Sequence, residues 1–134
     1  MTAENIITGD GILNPASVIS TLDVREGMSV ADFGCGAGHF AMLLAQKVGE
    51  HGKVYAFDVQ EGPLEAVHDK AKAAGLSNIE VIRANLEVLG STQLFDSSQD
   101  IVLMANILFQ STQKADILRE AARILKPNGA IVAV

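Results

Sequence analysis

Val30-Ala31-Asp32-Phe33-Gly34-Cys35-Gly36-Ala37-Gly38 carries an apolar run straight into a glycine-rich turn, and Phe40, Leu43, Leu44 and Val48 then follow at helical spacing. A strand, a glycine turn and an amphipathic helix in that order open a βαβ unit. Lacking a Cβ, Gly34, Gly36 and Gly38 let the backbone bend tightly and let a ligand come close, while the following helix start offers N–H groups to a polar atom. Asp32, at the end of the strand, is placed to accept a hydrogen bond from a ligand ammonium or an ordered water. The spacing is G-x-G-x-G, and His39 stands where the dinucleotide fingerprint G-x-G-x-x-G has its third glycine. Taken alone, such glycines describe a tight βα turn equally well.

Outward from this stretch, apolar runs recur at Ser29 to Phe33, Lys53 to Phe57, Ile79 to Ile82, Asp100 to Ala105 and Ala130 to Val134. Each is nearly continuous in hydrophobicity, so both faces are expected to be covered, as in a parallel sheet between helix layers. The connections are long enough for crossovers. One helix is expected from Phe40 to Gly49. Another starts near Pro63, carries Leu64, Val67, Ala71 and Ala74, and stops at Gly75. A third runs from about Thr112 to Leu125, with Ile117, Leu118, Ala121, Ile124 and Leu125 on one side, Ser111 or Thr112 as its cap, and Pro127-Asn128-Gly129 as a turn after it. Asn14 to Leu22 reads as a short helix with Val18, Ile19 and Leu22 as its apolar face.

Asp58 ends the second run, twenty residues beyond Gly38. Ligands of open α/β sheets lie beyond the carboxyl ends of the strands, and an acidic residue at this point accepts the ribose hydroxyls of a nucleoside. The alternative is a residue that merely leads into the next helix.

Asp32 to Gly38 together with Asp58 resembles the class I S-adenosylmethionine-dependent methyltransferases. Arg83-Ala84-Asn85-Leu86 after the third run, and Leu118-Arg119-Glu120 through Leu125-Lys126-Pro127-Asn128-Gly129, extend the likeness over most of the chain. The resemblance implies a Rossmann-like, doubly wound, mainly parallel α/β sheet of about five strands in the order 3-2-1-4-5, with helices on both faces. It also implies S-adenosylmethionine as cofactor and S-adenosylhomocysteine as product. Position by position, Gly34, Gly36 and Gly38, with Cys35 between them, would border the methionine and ribose portions. Asp58 would hold the ribose, Val59 would pack on the adenine, and Asn85 would bond the adenine amino group with Leu86 beside the ring. The family usually has aspartate where this chain has Asn85, and an amide oxygen accepts the same bond. Asn106, after the fourth run, stands where the family meets the methionine end; it either contributes there or serves as a turn former.

With 134 residues there is room for one compact domain. We expect a single cofactor-binding domain over 1–134, with 1–28 as an N-terminal helix and lid segment and 29–134 as the core. The lid stretch, Gly9 to Pro15, is equally readable as a frayed terminus. The core stops inside its fifth run, short of the strands the family places after it, and an unshielded sheet edge offers a homodimer contact.

Net charge is −6 and the ten Lys and Arg are scattered, so a nucleic-acid partner is disfavoured. Cys35 is the only cysteine, the first ten residues lack a signal-peptide pattern, and no apolar run reaches the roughly 20 residues of a membrane span. A cytoplasmic protein without membrane partners is expected. Cytosine C5 methylation would need a cysteine in the later half, and multi-cysteine arsenic methylation needs more than one. The stretch after the fourth run also lacks the Asn-Pro-Pro-Tyr type of sequence used on flipped bases. His39, His51 and His68 share no metal-ligand spacing, so no metal is expected.

The leading expectation is therefore an enzyme transferring methyl groups to an unidentified acceptor, a small molecule before a protein. No catalytic residue is singled out by position. The alternatives are a cofactor-binding module acting through a partner, and a nicotinamide-dependent oxidoreductase.

Overall fold

The computed structural model describes residues 14–105 and 112–134. The apolar runs form β1 (Ser29–Phe33), β2 (Lys53–Asp58), β3 (Ile79–Arg83), β4 (Gln99–Met104) and β5 (Leu125–Ala133). They lie in the order β3-β2-β1-β4-β5, every neighbouring pair parallel. The chain winds outward from β1 to β3, then crosses back to place β4 against the other side of β1. The crevice of a doubly wound sheet therefore opens at the carboxyl ends of β1 and β4.

The helices are α1 (Pro15–Thr21), α2 (His39–Val48), α3 (Glu61–Ala73) and α4 (Lys114–Ile124). One face of the sheet, with Val30, Val54, Ala56 and Leu103, packs on Ile19 of α1, Ala41, Leu44 and Val48 of α2 and Leu64 and Val67 of α3. The other, with Phe33, Phe57, Val102 and Met104, packs on Ile117, Ala121 and Ile124 of α4. Helices on both faces explain the continuous hydrophobicity of the strands. Phe33 and Phe57 are register partners on β1 and β2 and meet edge to face, ring centroids 5.6 Å apart. Such a contact adds about 0.5–1.5 kcal/mol to what burial alone contributes.

Local chemistry sets the helix ends. The Asn14 side chain accepts from the Ser17 amide and Pro15 occupies the first turn of α1, where an N–H would lack an intrahelical acceptor. Gln60 precedes α3, which begins at Glu61 and keeps Pro63 within its first turn. Its chain reverses at Gly75, whose φ of +71° suits glycine.

Three local expectations change. Ala74 is the exposed C-cap of α3 and adds nothing to its packed stripe, which is Leu64, Val67 and Ala71. Gln113, one residue after Thr112, is the N-cap of α4, and Ser111 lies outside the described residues. Finally, β5 begins at Leu125, five residues before the expected start. Leu125 pairs with Gln99 and Ala130 with Ile101, so 126–129 bulge out opposite Asp100 alone. The turn chemistry of Pro127-Asn128-Gly129 is thus expressed inside the strand as a bulge. It is tied down by Lys126 Nζ donating to Asp100 Oδ1 at 3.1 Å.

Candidate cofactor site

The glycine turn is built onto the end of β2. The amides of Gly34 and Cys35 both donate to the Phe57 carbonyl, at 2.9 and 2.8 Å, and Gly38 N–H closes the turn on the Cys35 carbonyl at 2.9 Å. Gly34, Gly36 and Gly38 all have positive φ, at 75°, 50° and 86°. Two of these glycines are required for different reasons. A Cβ on Gly38 would stand 2.6 Å from Val67 Cγ2, so this glycine lets α3 pack against the turn. A Cβ on Gly36 would meet nothing within 4 Å, so its bareness keeps open a space that no part of the described chain fills.

Asp58 joins the two halves of the site. Its Oδ2 accepts from the Gly36 amide at 3.2 Å and its Oδ1 from the Gln60 amide at 3.1 Å. Each carboxylate oxygen keeps a further lone pair, enough for a pair of vicinal hydroxyls. Lys70 of α3 donates to the Ala37 carbonyl at 2.8 Å and so props the turn from the outside. No sequence pattern marked Lys70, whose role depends on α3 crossing the turn.

Beneath the turn lies Asp32, 1% exposed, with both carboxylate oxygens lacking any hydrogen-bond partner. Burial, helped by the nearby negative charge of Asp58, pushes its carboxyl up to about 7. A carboxyl raised in the folded state lends stability that is complete below its unfolded value near 4 and is lost as pH rises through about 7. The ligand-free protein should therefore lose melting temperature between those limits more steeply than an Asp32→Asn variant; parallel melting profiles would contradict this. Burial also pushes the Cys35 thiol up to about 12, with Asp32 and Asp58 adding to the effect. Cys35 is consequently a thiol at neutral pH and a packing residue of the turn.

Further along the strand ends, Val59, Arg83, Ala84, Asn85 and Glu87 line a cleft of about 470 Å³. Val59 is half exposed in it, as an apolar surface for a flat ring must be. Arg83 Nε donates to the Val59 carbonyl at 2.9 Å and holds that backbone in place, while Asn85 Oδ1 accepts from the Glu87 amide at 3.1 Å. Leu86 is 3% exposed and belongs to the core beneath the cleft. Asn106 lies outside the described residues.

The loop from this cleft back to β4 is anchored by a group missed in the sequence reading. Glu120 of α4, wholly buried, accepts from the amides of Gly90 and Thr92, the Thr92 hydroxyl and the Arg123 guanidinium. Arg123 also donates to the Leu94 carbonyl and to Asp96. Burial pushes the Glu120 carboxyl up, but the bonds from Arg123, Thr92 and Gly90 together outweigh it and hold it at about 2. The signal was present: 117, 120, 121 and 124 have the spacing of one helix stripe, with Arg123 three residues beyond Glu120.

A family model described as a methyltransferase domain matches residues 24–134. The chain belongs to this family. Among solved structures, an S-adenosylmethionine-dependent methyltransferase from Aquifex aeolicus is 35% identical, with a TM-score of 0.76 over 85% of this chain and 59% of that one. An arsenic(III) S-adenosylmethionine methyltransferase from Chlamydomonas reinhardtii is likewise 35% identical, with a TM-score of 0.74 over 81% of this chain and 38% of that one. A curated demethylmenaquinone methyltransferase from Geobacillus stearothermophilus is 33% identical over 86% of this chain and 48% of its own length. The methyltransferase domain thus spans about half the length of such curated relatives. S-adenosylmethionine is the cofactor in the names of both solved relatives, and the matches favour neither the nicotinamide reading nor a module without catalysis.

The geometry fits that cofactor. Two orphaned carboxylate oxygens in Asp32, the open space before Gly36, the Asp58 carboxylate and the Val59–Asn85 cleft follow one another along the strand ends. An unpartnered acid, a bare backbone, a second acid and an apolar surface in that order match the order of an amino-acid tail, a ribose and a base.

Proposed function

We propose that this domain directs methyl transfer from S-adenosylmethionine to a small-molecule acceptor, with Gly34, Cys35, Gly36 and Gly38 bordering its amino-acid and ribose portions, Asp58 holding the ribose, and Val59 and Asn85 holding the adenine. Leu86 supports the adenine end from below, and Asn106 is assigned to the methionine end. The observation that carries this reading is the Gly36 amide bonded to the Asp58 carboxylate, which brings the bare turn and the sugar acceptor into one site. The bound cofactor supplies an electrophilic methyl carbon on a sulfonium. The chain's own contribution is to orient: Asp58 and the glycine turn fix the nucleoside, Arg83 steadies Val59, and Lys70 props the turn. No His, Glu or Asp of the described residues is singled out by its position as the acid or base of that step.

The small-molecule class is supported by the acceptors in the names of its relatives, demethylmenaquinone and arsenite. The lone buried thiol of Cys35 speaks against multi-cysteine arsenic chemistry on these residues. Among the described residues no helix is long and apolar enough to cross a membrane. We further assign 29–134 to the binding core, while the lid expected within 1–28 falls largely on residues 1–13, which lie outside the described residues; the setting we assign is a cytoplasmic protein that does not take nucleic acid, supported by the unpaired cysteine and the scattered basic residues. Homodimerisation through a sheet edge is supported by the outer position of β3 in the sheet.

Asp58→Ala should weaken S-adenosylhomocysteine binding by about 1–3 kcal/mol, the scale for leaving polar groups without their charged acceptor. Calorimetric titration of both proteins reads this directly, and unchanged affinity would remove Asp58 from the site.

A further inference from the structure

The first turns of α2 have an outer side that the cofactor site does not use. Ala41, Leu44, Ala45 and Val48 are buried toward the sheet, whereas His39, Met42 and Leu43, at three- and four-residue spacing, keep part of their surface open on the outer side. With Pro15 of α1 and Lys70 of α3 they line a groove of about 350 Å³. That volume falls at the lower end of the range of small-molecule sites, about 300–1,000 Å³.

The chemistry of the groove is one-sided. Its walls are apolar at Pro15, Met42 and Leu43, and its polar side chains, Asn14, His39 and Lys70, can all donate. Asn14 Oδ1 already accepts from the Ser17 amide at 3.2 Å, which leaves Nδ2 as the group Asn14 offers to a ligand. Lys70 uses one of its three N–H bonds on the Ala37 carbonyl and keeps two. His39 is exposed at the start of α2, whose first turn carries no acid. Among the described residues no acid lines the groove, in a chain with 16 Asp and Glu against 10 Lys and Arg.

We propose that this groove binds a small organic anion with an apolar tail, a medium-chain carboxylate, its acid group on Lys70 and His39 and its tail along Met42, Leu43 and Pro15. An inorganic anion would leave the apolar walls in water, and an uncharged tail would leave the Lys70 ammonium without an acceptor. Lys70 links the groove to the glycine turn. A carboxylate accepts from an ammonium more strongly than a peptide carbonyl does, so the anion draws Nζ away from Ala37 and loosens the turn that Lys70 props. Such coupling is reciprocal: the anion weakens cofactor binding and the cofactor weakens anion binding. The coupling rests on the S-adenosylmethionine reading, and occupation of the groove does not.

Backbone-amide NMR of the intact chain titrated with octanoate tests the proposal. Saturable shifts are expected at Met42, Leu43 and Lys70. Octylamine, with the same tail and the opposite charge, should bind at least about tenfold more weakly, and acetate, with the acid and no tail, should not saturate. Lys70→Met, which keeps an apolar stem and loses the ammonium, should weaken octanoate about tenfold, and Lys70→Arg should restore most of the loss. His39→Glu puts an acid at the rim without touching the turn, and should weaken octanoate as well. Saturating octanoate should weaken S-adenosylhomocysteine binding about threefold in the unmodified protein and leave it unmoved in Lys70→Met. Equal responses to octanoate and octylamine, shifts confined to the Val59–Asn85 cleft, or shifts that follow protein concentration and mark a second copy in the groove, overturn the proposal. Octanoate bound in the groove with S-adenosylhomocysteine affinity unmoved overturns the coupling. Absence of S-adenosylhomocysteine binding overturns the cofactor reading instead, while the octanoate titration still decides the groove.

Discussion

Glu120→Ala is expected to destabilise the protein by about 3–5 kcal/mol, the cost of removing one partner from a buried ion pair. Glu120 accepts bonds from two backbone amides, a hydroxyl and a guanidinium, and water has no route to a residue that is 0% exposed. Truncation leaves the Gly90 and Thr92 amides without their acceptor and Arg123 with only Asp96, the Leu94 carbonyl and the Thr92 hydroxyl. For a chain of this size the loss corresponds to a melting temperature lower by about 10–15 °C. Hydrogen exchange at the Gly90 and Thr92 amides should rise with it, because these groups hold the loop between the Asn85 cleft and β4. Glu120→Gln, which keeps an acceptor but loses the charge, should fall between the two. Because the carboxyl is held at about 2, its contribution is complete above the ordinary glutamate range and lost only as pH falls toward that value. A melting temperature unchanged in Glu120→Ala would show that the network does not hold the loop.

Gly36→Val should reduce S-adenosylhomocysteine affinity by more than about 100-fold, roughly 3 kcal/mol, while the protein still folds. The two halves of that expectation come from separate observations. Nothing lies within 4 Å of a Cβ at this position, so the fold has room for the side chain. Its φ of +50° adds a strain of about 1–3 kcal/mol for a β-branched residue. The valine would then occupy the space through which the ligand approaches the turn. Gly38→Ala separates packing from binding, since its Cβ would collide with Val67 at 2.6 Å and destabilise the α3 contact itself. Retained binding in a folded Gly36→Val protein would count against the glycine-turn assignment.

The parts of the fold that are legible in the sequence are those in which local and tertiary demands agree. Runs such as Val54-Tyr55-Ala56-Phe57 are buried on both faces, so their hydrophobicity alone reveals a parallel sheet. Strand order follows from the family resemblance. The expectations that changed are places where two local rules compete. Pro127-Asn128-Gly129 is turn chemistry, but Leu125 had already paired with Gln99, and the turn was absorbed as a bulge. Leu118 has the composition of a core residue yet is 38% exposed, while charged Glu120 is buried. Hydrophobic composition ranked them in the wrong order because the loop over α4 presents backbone donors, which an acid satisfies and a leucine does not.

The site divides in the same way. Asp58 and the glycines announce themselves by spacing, and the structure brings them together through the Gly36–Asp58 bond. Lys70 and Arg83 act on carbonyls of residues more than twenty positions away, Ala37 and Val59, and no short-range pattern carries that information. Asp32 was visible as an acid at a strand end. That its oxygens have no partner, and that Asp58 adds to its raised value, are properties of three-dimensional neighbours alone.

The central claim is that the strand ends of β1, β2 and β3 hold an S-adenosyl nucleoside along the path from Asp32 through Gly36 and Asp58 to Val59. Calorimetric titration of the full-length protein with S-adenosylmethionine, S-adenosylhomocysteine and NAD tests it most directly. Saturable binding of both S-adenosyl ligands, weakened together by Asp58→Ala, with no heat from NAD, is the predicted result; silence toward the S-adenosyl ligands, or saturable binding of NAD in their place, would contradict it.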